Sequence, residues 1–239
     1  ASARGLYRGE DRGLEVESLA LTLADGVTFE LPAANGHRVP LRSLQARFTT
    51  VVGGGRMDLQ SLEADVGGPV FGASTHLERF GDATHVRAEA DLRNLPVADA
   101  ARYWPANWGA DAHAWVTKNL QAGMIDEARV VLDATAGADG KIALESLTGD
   151  MRLENVTVDY LSPMTKAVKV DGTATFNQHR FDISVTRGQA NGLTASEGHL
   201  TFTGLDEVDQ YLDIDLTLQG PVQRALGLIE QKPLRLASK

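Results

Sequence analysis

The sequence Leu212-Asp213-Ile214-Asp215-Leu216-Thr217-Leu218 alternates apolar and polar side chains without a break. Successive side chains of a β-strand point to opposite faces of a sheet, so this stretch has one apolar face and one polar face. Such one-sided strands are typical of an antiparallel sheet that is solvated on one face. The stretch therefore predicts a mainly β, antiparallel fold.

The same period-two pattern recurs along the chain. A second clear run extends from Val86 to Leu92, and shorter runs cover residues 19–23, 128–132 and 181–185. The turn signals between such runs are Asp25-Gly26, Asn35-Gly36, Asp139-Gly140, Asp171-Gly172 and Asn191-Gly192. Together they indicate about a dozen strands, spaced as in all-β proteins.

Three segments depart from this alternation and predict short helices. The first follows Pro96 and covers residues 97–104, and the second covers residues 109–121, with Gly123 as its C-terminal cap. The third follows Pro221, extends from Val222 to Glu230, and ends before Pro233. Proline at the first helical turn and glycine just past the end are the expected boundary residues.

The chain also contains an internal repeat of about sixty residues, a length that suits one supersecondary unit. Residues 56–68 align without a gap with residues 180–192, His76-Leu77 with His199-Leu200, and Val86–Leu92 with Leu212–Leu218. Pro96-Val97 then matches Pro221-Val222. Each unit is predicted to consist of four strands followed by a helix, over residues 40–104 and 168–230.

A four-stranded amphipathic unit cannot bury its apolar face alone. Units that stack edge to edge would merge their faces into one twisted, curled trough, whereas units that pack face to face would form a sandwich. The sequence divides into a first β portion over residues 1–124, which includes two helices, and a second over residues 125–239.

Composition excludes several classes of function. The formal net charge of −9 argues against nucleic acid as a partner, because phosphate binding requires a basic surface. The chain has no cysteine and no run of apolar residues long enough to span a membrane. It begins with Ala1-Ser2-Ala3, without an initiator methionine, so we interpret it as part of a longer chain.

The search for catalytic and metal-binding motifs gives only weak matches. Gly53-Gly54-Gly55 lacks the rest of a phosphate-binding loop and is better explained as a hairpin turn. The histidines are scattered, although His76 and His199 match in the repeat, and strand histidines are favoured over metal ligands. We therefore predict no catalytic residue, no metal and no cofactor.

The densest aromatic cluster lies next to the predicted helices and contains Tyr103, Trp104, Trp108 and Trp115. It could serve as a carbohydrate platform or a membrane-interface anchor. Packing of the two helices onto the end of the sheet is the favoured interpretation, because Trp115, Val116 and Leu120 form a core-facing stripe.

An ordered series of motifs resembles the YhdP-like branch of AsmA/TamB-type proteins. In the first half the motifs are Tyr103-Trp104-Pro105, Trp115-Val116, Asn119-Leu120 and Gly123. In the second half they are Gly172-Thr173-Ala174, Arg180-Phe181-Asp182-Ile183, Gly204-Leu205, Asp213-Ile214-Asp215-Leu216, Gly220-Pro221-Val222 and Pro233-Leu234-Arg235-Leu236. The resemblance covers most of residues 40–239.

The resemblance implies an open β-groove built from repeats in the periplasm of a Gram-negative bacterium. It implies an anchor in the inner membrane and transfer of phospholipids towards the outer membrane, with acyl chains in the groove. The expected partners are phospholipid acyl chains and neighbouring repeats of the same full-length chain, and membrane contact would occur only through other parts of that protein.

Three classes of function follow: a lipid-conducting groove, a structural or partner-binding scaffold with a closed apolar core, and an enzyme or glycan-binding domain. The groove is favoured, and its predicted lining residues are Val86, Ala88, Ala90, Leu92, Val130, Leu132, Phe181, Ile183, Val185, Leu212, Ile214, Leu216 and Leu218. If the chain forms a groove, the apolar face of residues 212–218 should be partly accessible to solvent. If the core is closed, the same face should be buried.

Overall fold

The computed structural model describes residues 2–7, 14–22, 28–30, 38–51, 56–104, 110–139, 141–207, 209–232 and 234. The strands are β1 (Ser2–Tyr7), β2 (Leu14–Thr22), β3 (Thr28–Glu30), β4 (Arg38–Pro40), β5 (Ser43–Val51), β6 (Arg56–Asp65), β7 (Val70–Phe80), β8 (Ala83–Pro96), β9 (Leu120–Ala136), β10 (Ile142–Val158), β11 (Ala167–Asn177), β12 (Arg180–Ala190), β13 (Leu193–Thr203) and β14 (Tyr211–Gln219). The predicted fold class, mainly antiparallel β with a few short helices, is confirmed.

The helical segments lie where the sequence places them, with different ends. A 3-10 turn (Val97–Asp99) and α1 (Ala100–Tyr103) follow Pro96, then come α2 (Ala110–Asn119) and, after Pro221, α3 (Val222–Ile229). The prediction that Gly123 caps α2 is wrong, because β9 begins at Leu120 and Gly123 lies inside that strand.

Twelve of these strands form one open sheet in the order β1-β2-β5-β6-β7-β8-β9-β10-β11-β12-β13-β14, and β3 pairs with β4 separately. Every strand pair whose register the structure describes is antiparallel. Antiparallel neighbours need only short hairpin connections, and this explains why β5 to β8 and β11 to β14 follow one another across the sheet in chain order.

The chain divides into two compact units, and each unit consists of several separate stretches of the sequence. Unit 1 consists of residues 1–31, 37–93 and 128–149, and unit 2 of residues 32–36, 94–127 and 150–239. The proposed division at residue 124 stays a prediction.

The four-strand repeat is present at the level of strands. In unit 1, β5 to β8 pair in sequence, and in unit 2, β11 to β14 do the same. Val86 of β8 pairs with Leu77, and Leu212 of β14 pairs with Phe202. A proline and a helical segment follow both β8 and β14, as the repeat predicts.

The predicted equivalence of His76 and His199 is wrong, because the two histidines occupy different positions in the strand pairing of their repeats. Asp58 pairs with His76, whereas the equivalent Asp182 pairs with Thr201, and His199 pairs with Ser184. The cause is the connection: β6 and β7 are joined through residues 66–69 and contain a bulge, while β12 and β13 are joined by Asn191-Gly192 alone.

The predicted turns have three outcomes. Asn191 and Gly192 both have positive φ and form the β12–β13 hairpin turn, as predicted. Asp171-Gly172 is not a turn, because both residues lie at a bulge inside β11. The signals Asp25-Gly26 and Asn35-Gly36, together with Gly53-Gly54-Gly55, lie outside the described residues, as does Gly140.

Buried apolar side chains are concentrated in unit 2. Those of unit 2 are Leu95, Val97, Ala100, Leu120, Ile125, Leu153, Val156, Met164, Val170, Ala174, Leu193, Ala195 and Leu228. Within this set, Met164, Leu193 and Leu228 pack together with Tyr160 and Ala225, and thereby fix α3 against the β12–β13 hairpin. Of the unit 1 residues whose burial the structure describes, Val66 and Ala134 are buried hydrophobic residues.

Candidate functional site

The four strands of the unit 2 repeat share one apolar face. Their register places apolar side chains opposite one another in rows across the sheet. The first three rows are Phe176-Phe181-Phe202-Leu212, Ala174-Ile183-Leu200-Ile214 and Gly172-Val185-Gly198-Leu216. No charged residue occurs in these rows, so the face is apolar across all four strands.

This apolar face is only partly covered. Along β14 the exposed fractions are 42% for Leu212, 52% for Ile214, 38% for Leu216 and 39% for Leu218. The adjacent residues Leu200 and Ile183 are half-buried. Contiguous apolar surface of this kind marks a place where a protein contacts a ligand, a partner or a lipid.

Unit 1 has a comparable apolar face. Met57, Leu77 and Val86 lie opposite one another on β6, β7 and β8, and Ala64, Phe71 and Leu92 do so further along. Met57 is 44% exposed and the other members of these two rows are half-buried. The face of unit 1 therefore has little closed core beneath it.

The predicted lining residues share the apolar faces of their strands. In β9, Arg129 and Asp133 form ion pairs with Glu89 and Arg87 of β8, on the polar side. Because side chains alternate along a strand, Val130 and Leu132 face the apolar side.

None of the thirteen predicted residues is buried. Within unit 1 the structure brings together Val86, Ala88, Ala90, Leu92, Val130 and Leu132, and within unit 2 it brings together Phe181, Ile183, Val185, Leu212, Ile214, Leu216 and Leu218. Their role as lining residues of a groove stays a prediction.

The opposite face of each repeat carries ion pairs. At equivalent positions, the Arg56 guanidinium lies 3.0 Å from the Asp58 carboxylate, and Arg180 contacts Asp182 through two hydrogen bonds of 2.5 and 2.6 Å. Hydrogen bonding from His76 and then from Arg56 lowers the pKa of Asp58, and hydrogen bonding from Arg180 lowers the pKa of Asp182. These carboxylates are held in the charged form, which is unsuited to general acid catalysis near neutral pH.

Histidines and carboxylates meet on the polar face of unit 1. His76 hydrogen-bonds to Asp58, its Nε2 lies 3.7 Å from Glu78, and Glu78 pairs in register with His85. Among the described residues, no group of three histidine, cysteine, aspartate or glutamate side chains could hold a metal ion. The arrangement is a row of histidine and carboxylate side chains on the surface.

Sequence reasoning missed two aromatic residues of the unit 2 face, Phe176 and Phe202. Both continue the row of Phe181, with ring centroids 6.1 and 6.2 Å from it. Phe202 also contacts Trp115 of α2 at 6.1 Å, which confirms that this helix packs onto the sheet. The alternation of Ala174 with Phe176 and of Leu200 with Phe202 was the signal that could have identified them.

The other members of the aromatic cluster lie elsewhere. Trp104 contacts His113 edge-on at 5.6 Å and so joins the segment after α1 to α2. The guanidinium of Arg102 lies 5.9 Å from the Tyr103 ring centroid, and Trp108 lies outside the described residues. In the portion of the chain that the structure describes, no helix is long and apolar enough to cross a membrane.

Comparison with known proteins identifies the family of the chain. No curated protein and no solved structure matches the chain. A family model described as YhdP protein matches residues 14–238, a range that includes the repeat strands, the helices and the apolar faces of both units. This match confirms the resemblance found in the motifs, and the chain therefore belongs to the YhdP protein family.

Proposed function

We propose that the chain is a non-enzymatic part of a lipid-transfer protein in the periplasm of a Gram-negative bacterium. In this proposal the apolar strand faces shield phospholipid acyl chains between the inner and outer membranes, and headgroups stay in water. Membership of the YhdP protein family supports the proposal, as does the distribution of apolar and charged residues between the two faces.

The observation that carries the proposal is the exposure of the apolar side of β14. Leu212, Ile214, Leu216 and Leu218 remain between 38% and 52% exposed, although they continue a face made of apolar side chains. A closed scaffold would bury these residues. An acyl chain laid along them would remove the same surface from water.

The free energy of acyl transfer favours such a face. Each methylene group that leaves water contributes about 0.8 kcal/mol, so an acyl chain in water is strongly disfavoured. From Leu212 to Leu218 the strand extends about 20 Å, at about 3.4 Å per residue, which gives a long acyl chain room to lie extended.

The side-chain chemistry of the apolar face also suits movement of a lipid along it. Its side chains are aliphatic or aromatic and offer no hydrogen bonds that would fix a lipid at one position. Apolar attraction is non-directional and depends on the area removed from water, so neighbouring positions have similar free energy. A lipid can therefore slide in small steps.

Site-specific photocrosslinking in the full-length protein tests the proposal. A benzophenone amino acid at Ile214 or Ile183 should form adducts with phospholipid, because both positions lie on the apolar face. The matched control is Asp213, which neighbours Ile214, is also exposed, and lies on the opposite face.

Phospholipid adducts at Ile214 and not at Asp213 would support the proposal. Equal adduct yields at the two positions, or none at Ile214 and Ile183, would contradict it. Protein adducts at Ile214 in place of lipid would indicate the partner-binding scaffold.

A further inference from the structure

An aromatic row crosses unit 2 at one end of its apolar face. The rings of Phe176, Phe181 and Phe202 follow one another on β11, β12 and β13, with centroids 6.1 and 6.2 Å apart. Trp115 of α2 adds a fourth ring, 6.1 Å from Phe202 at an interplanar angle of 70°. This edge-to-face geometry is the favoured arrangement of aromatic pairs.

Helix α2 carries Trp115, and contacts on both sides of Trp115 attach this helix to the rest of unit 2. Its last residue, Asn119, accepts a hydrogen bond of 2.8 Å from the backbone N–H of Asp159, which follows β10. On the preceding turn, His113 contacts Trp104 edge-on at 5.6 Å. The indole ring is therefore fixed against Phe202 by contacts on either side of it along the helix.

Coverage of the aromatic row is uneven. Phe176, Phe181 and Phe202 are half-buried, whereas Leu212, the next member of the same row on β14, is 42% exposed. The indole lies on the part of the row that is covered, and the β14 part remains accessible to a ligand.

We infer that Trp115 occupies the aromatic row in place of an acyl chain and thereby, at that end of the unit 2 face, confines a bound acyl chain to the β14 side. The inference rests on the proposed function, and it makes Trp115 a residue that limits how many acyl chains the unit accepts. The Trp115 indole and an acyl chain compete for the apolar surface of Phe202, and Phe181 is the next ring along the row.

Removal of the indole should open a second acyl position. A tryptophan side chain covers roughly 200 Å² of apolar surface, so its loss leaves an apolar space lined by phenylalanine. Apolar cavities in proteins stay dry and accept apolar ligands. An acyl segment can therefore enter the space that Trp115→Ala creates.

Photocrosslinking of the full chain tests this inference, with vesicles of palmitoyl-oleoyl phosphatidylethanolamine and phosphatidylglycerol as the lipid source. A benzophenone amino acid at Phe181 reports the aromatic row, and one at Ile214 reports the β14 side. We expect Trp115→Ala to increase phospholipid adducts at Phe181 by about two- to tenfold, the range of one aromatic contact, and to leave those at Ile214 unchanged.

Two further variants keep the experiment decisive if Trp115→Ala loosens the sheet. Trp115→Phe retains an aromatic contact and should give a smaller increase at Phe181. Leu228→Ala removes a buried side chain of unit 2 that packs in a different cluster, with Met164 and Leu193, and it should leave the Phe181 yield at its original level.

The outcomes separate the inference from the proposed function. Adducts at Ile214 with an unchanged Phe181 yield in Trp115→Ala would overturn the inference alone. An equal increase in Leu228→Ala would also overturn it, because general loosening of unit 2 would then explain the effect. Absence of adducts at Ile214 in the unaltered protein would contradict the proposed function itself.

Discussion

At the scale of single residues, backbone conformation decides where strands approach closely. Gly123 in β9 has a φ of +100°, and a Cβ built on it would lie 2.5 Å from the Cα of Val156 and 2.6 Å from the carbonyl oxygen of Asn155. Both contacts involve backbone of β10, which cannot move aside as a flexible side chain can. Glycine is therefore required where these strands meet.

Gly123→Ala should reduce the free energy of unfolding of unit 2 by about 2–4 kcal/mol, from the left-handed backbone and the backbone clash together. Urea denaturation followed by circular dichroism measures the change. The matched control is Gly227→Ala in α3, where the nearest atom to a new Cβ is 3.6 Å away. That variant should be neutral or gain up to about 1 kcal/mol from helix propensity, and equal losses in both variants would contradict the explanation.

At the scale of elements, the two repeats keep the same ion pair at the start of equivalent strands. Arg56 contacts Asp58 in β6, and Arg180 contacts Asp182 in β12. His76 of β7 adds a hydrogen bond to Asp58, while Thr201 of β13 donates one of 2.8 Å to Asp182. In both repeats the carboxylate links neighbouring strands on the polar face.

These carboxylates should make stability depend on pH in the acid range. Their pKa values are lowered in the folded protein, so their contribution is present above the ordinary aspartate value of about 4 and is lost as pH falls through the lowered values. A double variant, Asp58→Asn with Asp182→Asn, should be less stable than the parent near neutral pH. The difference should shrink as the pH falls below about 4, the ordinary aspartate value.

Urea denaturation at a series of pH values measures this difference. An Arg180→Gln variant provides a second comparison, because it removes the principal cause of the lowered pKa of Asp182. A difference between parent and double variant that stays the same at both ends of the series would show that packing, and not charge, explains it.

The same elements show how far the sequence determines the fold. Regular alternation over residues 86–92, 181–185 and 212–218 predicted the faces of β8, β12 and β14, because a stretch of strand without a bulge keeps a period of two. Irregular positions interrupt that period: Asn155 in β10 has a φ of 53°, and apolar Leu153 and Val156 on either side of it are both buried. Simple alternation therefore does not reveal that β10 is a single strand from Ile142 to Val158.

The apolar face of each single strand of the candidate site was predictable from the sequence. The contacts between different strands and helices were not. The apolar face of β14 follows from its own residues, since every second side chain points the same way. The contact of Trp115 with Phe202 joins residues far apart in sequence, and it depends on where α2 comes to lie. The register of His76 depended on a bulge and a longer connection, neither of which the alternation signals.

At the scale of the whole molecule, the two units differ in how much core each one closes. Among the residues whose burial the structure describes, most of the buried apolar side chains belong to unit 2, and Val66 and Ala134 belong to unit 1. The strand faces of unit 1 are nonetheless apolar. An apolar face with few buried residues gains free energy from any apolar ligand that covers it, in proportion to the area covered.

The exposed apolar face of β14 in unit 2 leads to a prediction about alkyl ligands. The affinity of the purified chain for single-chain amphiphiles below their micelle concentration should rise with alkyl length, by up to about fourfold per methylene. Neutral maltoside and zwitterionic phosphocholine headgroups should give similar affinities, because the rows of the apolar face contain no charged residue. Calorimetry measures the affinities and should show a negative heat-capacity change.

Two neighbouring substitutions on β14 locate that binding. Ile214→Asp places a charge on the apolar face and should weaken binding of every alkyl length, whereas Asp213→Ala on the opposite face should leave it unchanged. Equal effects of the two variants would assign the binding to another surface. An affinity that follows the headgroup and not the alkyl length would indicate recognition by the polar face, and the acyl-shielding role of the strand faces would then be wrong.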